Sequence, residues 1–433
     1  MDDIKVELLK LSRDLMLITA IDKMRTYLKG EEIPSVVALP KNSQEIATIL
    51  KVAGNLHMKV AVGGSTVDTK GLHGGVALIL VSMNNILEID HENLIVSVEA
   101  GVKHIEFIRS VTNEGLYFPF EPYNISTSTL GSYFARGAID SKSFVYGQPW
   151  VYLIGCEFVL PSGDIINISR KVIKDVAGYD LIHFMVGSFG TLGVLTKLLV
   201  KVLPYPKRRK MAVGFFDNVL DVKRSVYDIF LQRVVPARLN ILNLSTINLF
   251  DNNKKYAVFV ELEGFEDSTD VLCKKVVEIF KDMQLENTII IEESNQYNEL
   301  WNNLLILKEK THNDTTLSTI NVGIGRDDLL NKIDIIENFL DSLEGFRLNI
   351  VDFLNGNIQV LAPNKVDKDY DNLINKLNDF LLSINGLIIG NEGYMLRYKR
   401  MNKMDELEEK MKLAKDMRNK FDPKQILSPS III

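Results

Sequence analysis

The stretch "MVGSFGTLGVLTK", Met185 to Lys197, sets Gly187, Gly190 and Gly193 at every third position between two apolar runs. This spacing matches neither the G-x-G-x-x-G of a Rossmann turn nor the G-x-x-x-x-G-K-[ST] of a phosphate-binding P-loop. Taken alone it reads equally as a nucleotide loop, a packing turn, or one wall of something larger. Its flanks narrow the choice. Upstream, "VIKDVAGYDL" (172–181) predicts a helix from Ile173 to Met185 that carries Asp175, Tyr179 and Asp180. Downstream, "GVLTKLLVKVLP" (193–204) predicts a long strand stopped by Pro204 and Pro206.

Bulk properties set the frame around this stretch. A chain of 433 residues holds two or three domains of ordinary size. Hydrophobic residues at 46% and charged residues at 24% are usual for a folded, water-soluble protein. The formal charge of −6 argues against a general nucleic-acid binder, which carries a basic excess. Two distant cysteines, Cys156 and Cys273, exclude a disulfide framework and a cysteine-ligated iron–sulfur cluster within this chain. "MDDIKVELLKLSRDL" (1–15) has neither the basic start nor the apolar block of a signal peptide. No apolar run reaches the ~20 residues of a membrane span. A cytoplasmic setting is the simplest expectation, with peripheral membrane association left open.

Moving outward, "LIGCEFVLPSGDIINIS" (153–169) reads as a hairpin turning at Pro161-Ser162-Gly163-Asp164. "PSVVALPKNSQEIATIL" (34–50) gives a strand, a turn and a helix opening near Ser43, and "KVAVGG" (59–64) a strand entering a glycine turn. "VALILVS" and "ILEIDHENLIVSVEAGV" form strands with turn chemistry at Asp90 to Asn93, followed by a helix from about Lys103 to Glu114. Residues 1–30 read as an amphipathic helix or helix pair closed by Gly30. Beyond Pro206 the strand–helix order repeats, which predicts an antiparallel sheet with helices on one face. No short-period repeat is visible. "MDELEEKMKLAKDMRNKFDPKQILSPSIII" (404–433) reads as a charged helix and a proline-punctuated tail.

Two further glycine-bearing loops stand out. In "VGGSTVDTKG" (62–71) the glycine pair lets backbone N–H groups approach an anion, and Ser65 and Thr66 add hydroxyl donors. Alone, that loop favours a plain tight turn over a pyrophosphate cradle. "PFEPYNISTSTLGSYFARGAIDSKSFVYGQPW" (119–150) is polar, long, and lies between strand-forming segments, which favours a functional loop.

In this order and at these intervals the three loops resemble the FAD-binding domain of the vanillyl-alcohol oxidase/para-cresol methylhydroxylase (PCMH) superfamily. Within it they most resemble the flavoprotein subunits of glycolate oxidases and D-lactate dehydrogenases. "PFEP" and "KDVAGYDL…GSFGTLGVLT" lean toward the accessory-type FAD-binding subunit of glycolate oxidase. The resemblance is strong over 31–206, moderate in the tail "FDPKQILSPS", and weak over 207–385. It implies an α+β fold: a two-subdomain PCMH-type FAD-binding domain plus an antiparallel-sheet substrate (cap) domain. The implied division is an N-terminal helical segment at 1–30, the FAD domain at 31–206, the cap at 207–410, and a C-terminal helix and tail at 411–433 returning to the FAD domain.

Carried over position by position, Gly63, Gly64, Ser65 and Thr66 would hold the FAD pyrophosphate. Thr129, Leu130, Gly131 and Ser132 would line the flavin and its ribityl-diphosphate, with Gly137, Tyr146 and Gly147 continuing that wall. Gly187, Ser188, Gly190, Gly193 and Val194 would pack on the adenosine and isoalloxazine portions. Val62 stands where the family often has Arg. Members with covalent flavin place His in the first loop, and none occurs from Val62 to Lys70, so non-covalent FAD is expected. His73, just downstream, reads as a surface turn residue.

Catalytic relatives carry H-x-G-D-G-N-x-H and G-E-H-G-I-G motifs, whose histidines and glutamate bind a divalent metal and supply a base. Here the matches are "DFLNGNIQ" (352–359) and "GNEGYM" (390–395). They put Asp352, Gln359 and Asn391 at the ligand positions and Glu392 at the base, so no metal site is expected. Near the implied flavin face, "NEGYMLRYKR" (391–400) offers Arg397 as a bidentate clamp for a carboxylate. Glu392 or Tyr394 would take a hydroxyl proton if the surroundings shifted its pKa. The opposing reading is a charged strand end in solvent.

The resemblance implies an FAD-dependent 2-hydroxy-acid oxidoreductase of the glycolate/D-lactate type, moving hydride from substrate C2 to flavin N5. With no nicotinamide turn and no iron–sulfur motif, electrons would pass to a partner such as a second flavoprotein or iron–sulfur subunit, a quinone, oxygen or a diffusible carrier. A second reading is a flavin-binding accessory or electron-relay subunit without its own turnover. A third is a flavoprotein acting on a sugar or polyol.

Overall fold

The computed structural model describes residues 7–8, 15–122, 125–168, 178–245, 253–283, 288–291, 317–363, 368–389 and 405–429. The chain divides into two compact units. Unit 1 comprises Met1–Ile139, Gln148–Pro204 and Glu392–Ile433; unit 2 comprises Asp140–Gly147 and Tyr205–Asn391.

Unit 1 begins with four strands, β1 (Met16–Ile18), β2 (Val36–Leu39), β3 (Val60–Gly63) and β4 (Val76–Ile79), ordered β1-β2-β4-β3. β2, β4 and β3 are parallel, and β2 and β4 are buried along their whole length, as parallel strands covered on both faces must be. Between β2 and β3 runs α1 (Ser43–Asn55). It starts where the Asn42 side chain accepts the Glu45 N–H (2.9 Å), while the Glu45 carboxylate accepts the Lys41 N–H (2.8 Å). Its buried Ile46, Ile49, Leu50 and Ala53 recur at i, i+3, i+4 and i+7, forming one apolar face. Fully burying each aliphatic chain contributes about 2 kcal/mol.

The second sheet of unit 1 is antiparallel. It contains β5 (Ile86–Asp90), β6 (Ile95–Glu99), β7 (Leu153–Val159), β8 (Ile165–Ile168) and β9 (Val194–Lys201), ordered β8-β7-β9-β6-β5. The expected hairpin joins β7 to β8, and its turn closes through the Gly163 N–H to the Leu160 carbonyl (2.8 Å). Helices α2 (His104–Asn113) and α3 (Leu130–Ala135) follow β6, and α4 (Leu181–Met185) precedes the loop into β9. Where the sequence predicts a helix from Ile173, the described helix starts at Leu181. There the Asp180 carboxylate caps it by accepting the His183 N–H (3.0 Å), and 173–177 lie outside the described residues. The helical expectation for 1–30 holds at Glu7–Leu8 and needs correction at Met16–Ile18, while 1–6 and 9–14 lie outside the described residues. Met16–Ile18 pairs antiparallel with β2, and only Ile21–Met24 is α-helical beyond it. Ile18 packs against the cluster of Val37, Leu39 and Ala61, so an available sheet edge outweighs helical propensity there.

Unit 2 is built on eight antiparallel strands. In chain order they are β10 (Arg208–Phe216), β11 (Arg238–Asn243), β12 (Tyr256–Gly264), β13 (Ile289–Ile291), β14 (Leu317–Ile324), β15 (Arg347–Asp352), β16 (Asn357–Pro363) and β17 (Gly386–Ile388). Helices α5 (Val219–Leu231), α6 (Glu266–Asp282), α7 (Arg326–Asp341) and α8 (Lys368–Ser383) lie between them. The spatial order is β13-β10-β12-β11-β15-β16-β14-β17. This is a βαββαβ unit used twice, the copies joined edge to edge where Asn240 faces Asp352. Asn243 and Tyr256 both reach Glu337 of α7, which identifies the helix-covered face of the sheet. By alternation, Arg238, Asn240, Glu261, Asp352, Asn357 and Gln359 occupy the opposite face, and all six are buried. Finally, α9 (Asp405–Phe421) precedes the tail in unit 1. Among the described residues no helix is long and apolar enough to cross a membrane.

Candidate functional site

Unit 1 holds an open pocket lined by ends of its strands and by the loops that follow them. From the first sheet come Gly63, Gly64, Thr66 and Asp68 after β3. Gly131, Ser132, Ala135 and Arg136 come from α3, and Phe189, Gly190, Gly193 and Val194 from the loop into β9.

Glycine is required here by contact. A Cβ on Gly64 would overlap Thr129 Oγ1, and one on Gly131 would sit 2.6 Å from Ala100 Cβ. At both points a neighbouring residue comes so close to the glycine backbone that there is no room for a side chain. Thr129 is the buried cap of α3: its side chain accepts the Ser132 N–H (3.3 Å), and Ser132 Oγ lies 3.2 Å from the Thr129 N–H it accepts. Gly190 has φ +71 and Gly187 φ +72, the left-handed region that glycine enters without strain. Phe189 between them holds φ +52, a costlier conformation for a side-chain-bearing residue. Its N–H donates to the Ala135 carbonyl at 2.8 Å.

The C-terminal tail completes the wall. Ser428 N–H donates to the Val60 carbonyl and Val60 N–H to the Ile426 carbonyl, both 2.7 Å, so the tail lies along β3. Ser428 Oγ lies 3.1 Å from the Phe189 carbonyl and 3.3 Å from that of Gly190. Residues more than two hundred positions apart thus share one rim.

Behind α3 lies a buried aromatic cluster. His104 meets Tyr133 edge-on at 4.8 Å and Phe118 at 5.6 Å between ring centroids. Its Nε2 is 2.9 Å from the Phe120 carbonyl, a partner that requires Nε2–H and leaves Nδ1 deprotonated. Burial disfavours the imidazolium and lowers the His104 pKa to about 4, although Phe120 and Glu121 favour the charged form. Cys156, buried in β7, has its thiol pushed up to about 12 by burial and the Asp180 charge, so it stays an unreactive thiol.

Of the positions carried over from the sequence, Gly63, Gly64, Thr66, Gly131, Ser132, Gly190, Gly193 and Val194 line this one pocket. The others are not among its lining residues. Ser65 donates to the Thr127 carbonyl (2.7 Å), Thr129 and Leu130 are buried, and Gly137 packs on Gly187. Ser188 Oγ donates to the Met185 carbonyl (2.7 Å). Tyr146 and Gly147 belong to unit 2, where the Tyr146 hydroxyl donates to Glu263 at 2.6 Å. Burial and the Glu263 charge push that phenol above its ordinary pKa. Glu392, Tyr394 and Arg397 lie outside the described residues.

Among the lining residues that sequence reasoning missed are Asp68, Leu80, Ala135, Arg136, Phe189 and Ser428. The apolar ones look like any core residue. Arg136 had a signal: it is the only charged residue between Glu121 and Asp140.

In unit 2, Asp352 and Gln359 are committed to neighbours. Asp352 Oδ2 accepts from Asn355 Nδ2 (2.8 Å), and Gln359 Oε1 accepts from Asn349 Nδ2 (2.7 Å). Among the described residues no three His, Cys, Asp or Glu side chains gather as a metal-binding group. The same sheet face carries an ion network. Lys142 Nζ lies 2.7 Å from Glu261 and 2.5 Å from Glu263, Arg209 contacts both carboxylates, and Arg238 lies 3.1 Å from Glu261. Burial alone would raise the Glu261 pKa, but Lys142, Arg238 and Arg209 outweigh it and hold the carboxyl well below its usual range.

The pocket fits a flavin dinucleotide: glycine-walled backbone at several loops, hydroxyls at Thr66 and Ser132, and apolar Val62, Leu80 and Leu195 for a ring system. Comparisons with known proteins agree. Residues 34–169 match the FAD binding domain family, and residues 205–432 match the C-terminal domain of FAD linked oxidases. The glycolate oxidase subunit GlcD of Bacillus subtilis is 33% identical over 264 residues, covering 57% of this chain and 56% of that one. The matched region thus spans about half of that relative's length. A D-lactate dehydrogenase of Anaerostipes hadrus is 25% identical across 95% of this chain and 91% of its own. Among solved structures, p-cresol methylhydroxylase with substrate bound superposes with a TM-score of 0.74 at 16% identity, over 99% of this chain and 96% of that one. An alkyldihydroxyacetonephosphate synthase gives 0.73 at 15% identity, over 99% and 84%. These similarities are to the PCMH-type fold with its FAD-binding and antiparallel-sheet domains.

Proposed function

The chain belongs to the FAD-linked oxidases and takes FAD as its cofactor, and on that premise we propose an FAD-dependent oxidoreductase of the 2-hydroxy-acid (glycolate/D-lactate) type. The observation that carries the proposal is the single pocket formed by three glycine loops and the tail, together with relatives named as a glycolate oxidase subunit and a D-lactate dehydrogenase. Gly63, Gly64, Thr66, Gly131, Ser132, Gly190, Gly193 and Val194 would hold FAD, without a covalent link, since no histidine occurs from Val62 to Lys70. Bound FAD supplies the acceptor for two electrons. What remains for the chain is the substrate carboxylate and the hydroxyl proton, assigned here to Arg397 and to Glu392 or Tyr394.

One observation favours a second reading, an accessory or electron-relay subunit. Asp352 and Gln359 stand where hydroxy-acid enzymes of the family carry metal-ligating histidines, and here they bond to Asn355 and Asn349. Anaerobic addition of D-lactate, glycolate or 2-hydroxyglutarate to the purified chain separates the two. Bleaching of the flavin absorbance by one of them supports turnover. Bleaching only after a partner subunit is supplied would sink it and favour the relay reading.

A further inference from the structure

We infer that Arg136 is a positioning residue for FAD, supplying the positive charge that its pocket presents to the cofactor's pyrophosphate. The inference rests on the FAD reading above and asks more of it. Among the described residues that line the pocket, two are charged, Arg136 and Asp68. At neutral pH the pyrophosphate is the ionised part of FAD, a dianion. A guanidinium matches it with paired N–H donors, whereas a carboxylate repels it. Asp68 already accepts the Lys70 N–H through Oδ1 (3.0 Å), within its own turn.

The backbone at Arg136 is fixed from several directions. Its N–H donates to the Ser132 carbonyl (3.1 Å), and Gly137 N–H donates to the Phe134 carbonyl (3.0 Å). Phe189 N–H reaches the carbonyl of Ala135 (2.8 Å), the residue before it. Gly137 holds φ +64, and a Cβ there would lie 3.2 Å from Gly187 Cα. The arginine is thus rooted at the junction of α3 with the Gly187–Gly190 loop, and it is exposed while lining the pocket. A purely structural role competes: a cation at a helix C-terminus complements the helix dipole. The two roles differ in what they do to a flavin that lacks phosphate.

The test is a fluorescence titration of the full chain with FAD and, separately, with riboflavin. For R136Q, FAD affinity should fall roughly 10- to 100-fold, as expected for loss of a charge-assisted contact. Riboflavin affinity should stay within about twofold, and the salt dependence of FAD binding should flatten. R136K, which keeps charge without the planar fork, should lie between. Equal losses for FAD and riboflavin would mean a structural role and overturn the inference, as would unchanged FAD affinity. A wild-type chain that binds no FAD would overturn the cofactor reading with it, so the two failures are told apart.

Discussion

The pocket of unit 1 and the sheet face of unit 2 that carries Glu261 and Glu263 handle polarity in opposite ways. Around the pocket, close approach is made by backbone: Gly64 against Thr129, Gly131 against Ala100, Ser428 along β3. On the sheet face, side chains do the pairing, with Lys142 and Arg238 fully buried against Glu261 and Glu263. A backbone-built site needs particular glycines at particular intervals, and it tolerates variation in the apolar lining. A side-chain-built network needs every partner present, since each charge left behind is stranded in a medium that solvates it poorly.

Replacing Lys142 should therefore produce the largest loss. In K142M, Glu261 and Glu263 stay buried with one fewer cation, a change that costs about 3–5 kcal/mol in comparable buried pairs. Hydrogen exchange should show the amides of β12 and of 140–147 losing protection, and urea unfolding should shift to lower concentration. If stability were unchanged, the network would not be the support described, and the contrast between the units would fail. A K142M/E263Q double variant should recover part of the loss, because it removes one of the stranded carboxylates.

Unit 1 has its own buried titratable group, and it sharpens the comparison because it is kept neutral rather than paired. His104 has a folded pKa of about 4 against an ordinary value of 6.5. Between those values the unfolded chain binds the proton and the folded chain does not, so stability rises with pH. The contribution is fully present above pH 6.5 and is lost as pH falls through 4. A shift of this size is worth about 3 kcal/mol. Urea midpoints measured from pH 7 to pH 4 should fall in the wild type, and H104Q, which keeps a donor for the Phe120 carbonyl, should show a shallower slope. Equal slopes would place the acid sensitivity elsewhere.

The same contrast explains what could be read from sequence. Backbone-built sites announce themselves through glycine, so the loops at Gly63, Gly131 and Gly190 were legible once their order was taken together. The resemblance places Tyr146 on that wall, and its hydroxyl donates to Glu263, a residue 117 positions away. No local pattern foretells such a pair. Beyond Pro206 the repeated strand–helix order was legible, but not its closure into two βαββαβ copies joined at Asn240 and Asp352, because the copies share strand order rather than residues. Both 1–30 and Ile173 onward read as helix from propensity. The sheet edge at β2 claimed Met16–Ile18, and the Asp180 cap set the start of α4 at Leu181.

The smallest of these effects falls on the glycine pair. A methyl group at residue 64 would overlap Thr129 Oγ1, with Thr129 Cγ2 at 3.1 Å close behind. Overpacking of this kind typically costs about 1–3 kcal/mol. Because Thr129 caps α3, relief by movement of its side chain would forfeit the bond to the Ser132 N–H. G64A should therefore lose FAD on desalting, read as flavin absorbance per chain, while the exchange protection of β12 in unit 2 stays as in the wild type. Shortening the opposing residue tests the cause. G64A/T129S keeps the capping hydroxyl, removes Cγ2 and leaves the Oγ overlap, whereas G64A/T129A removes both. If the overlap is responsible, T129A should restore more FAD than T129S despite losing the cap. The reverse order would show that the cap, and not the close backbone approach, is what the glycine protects.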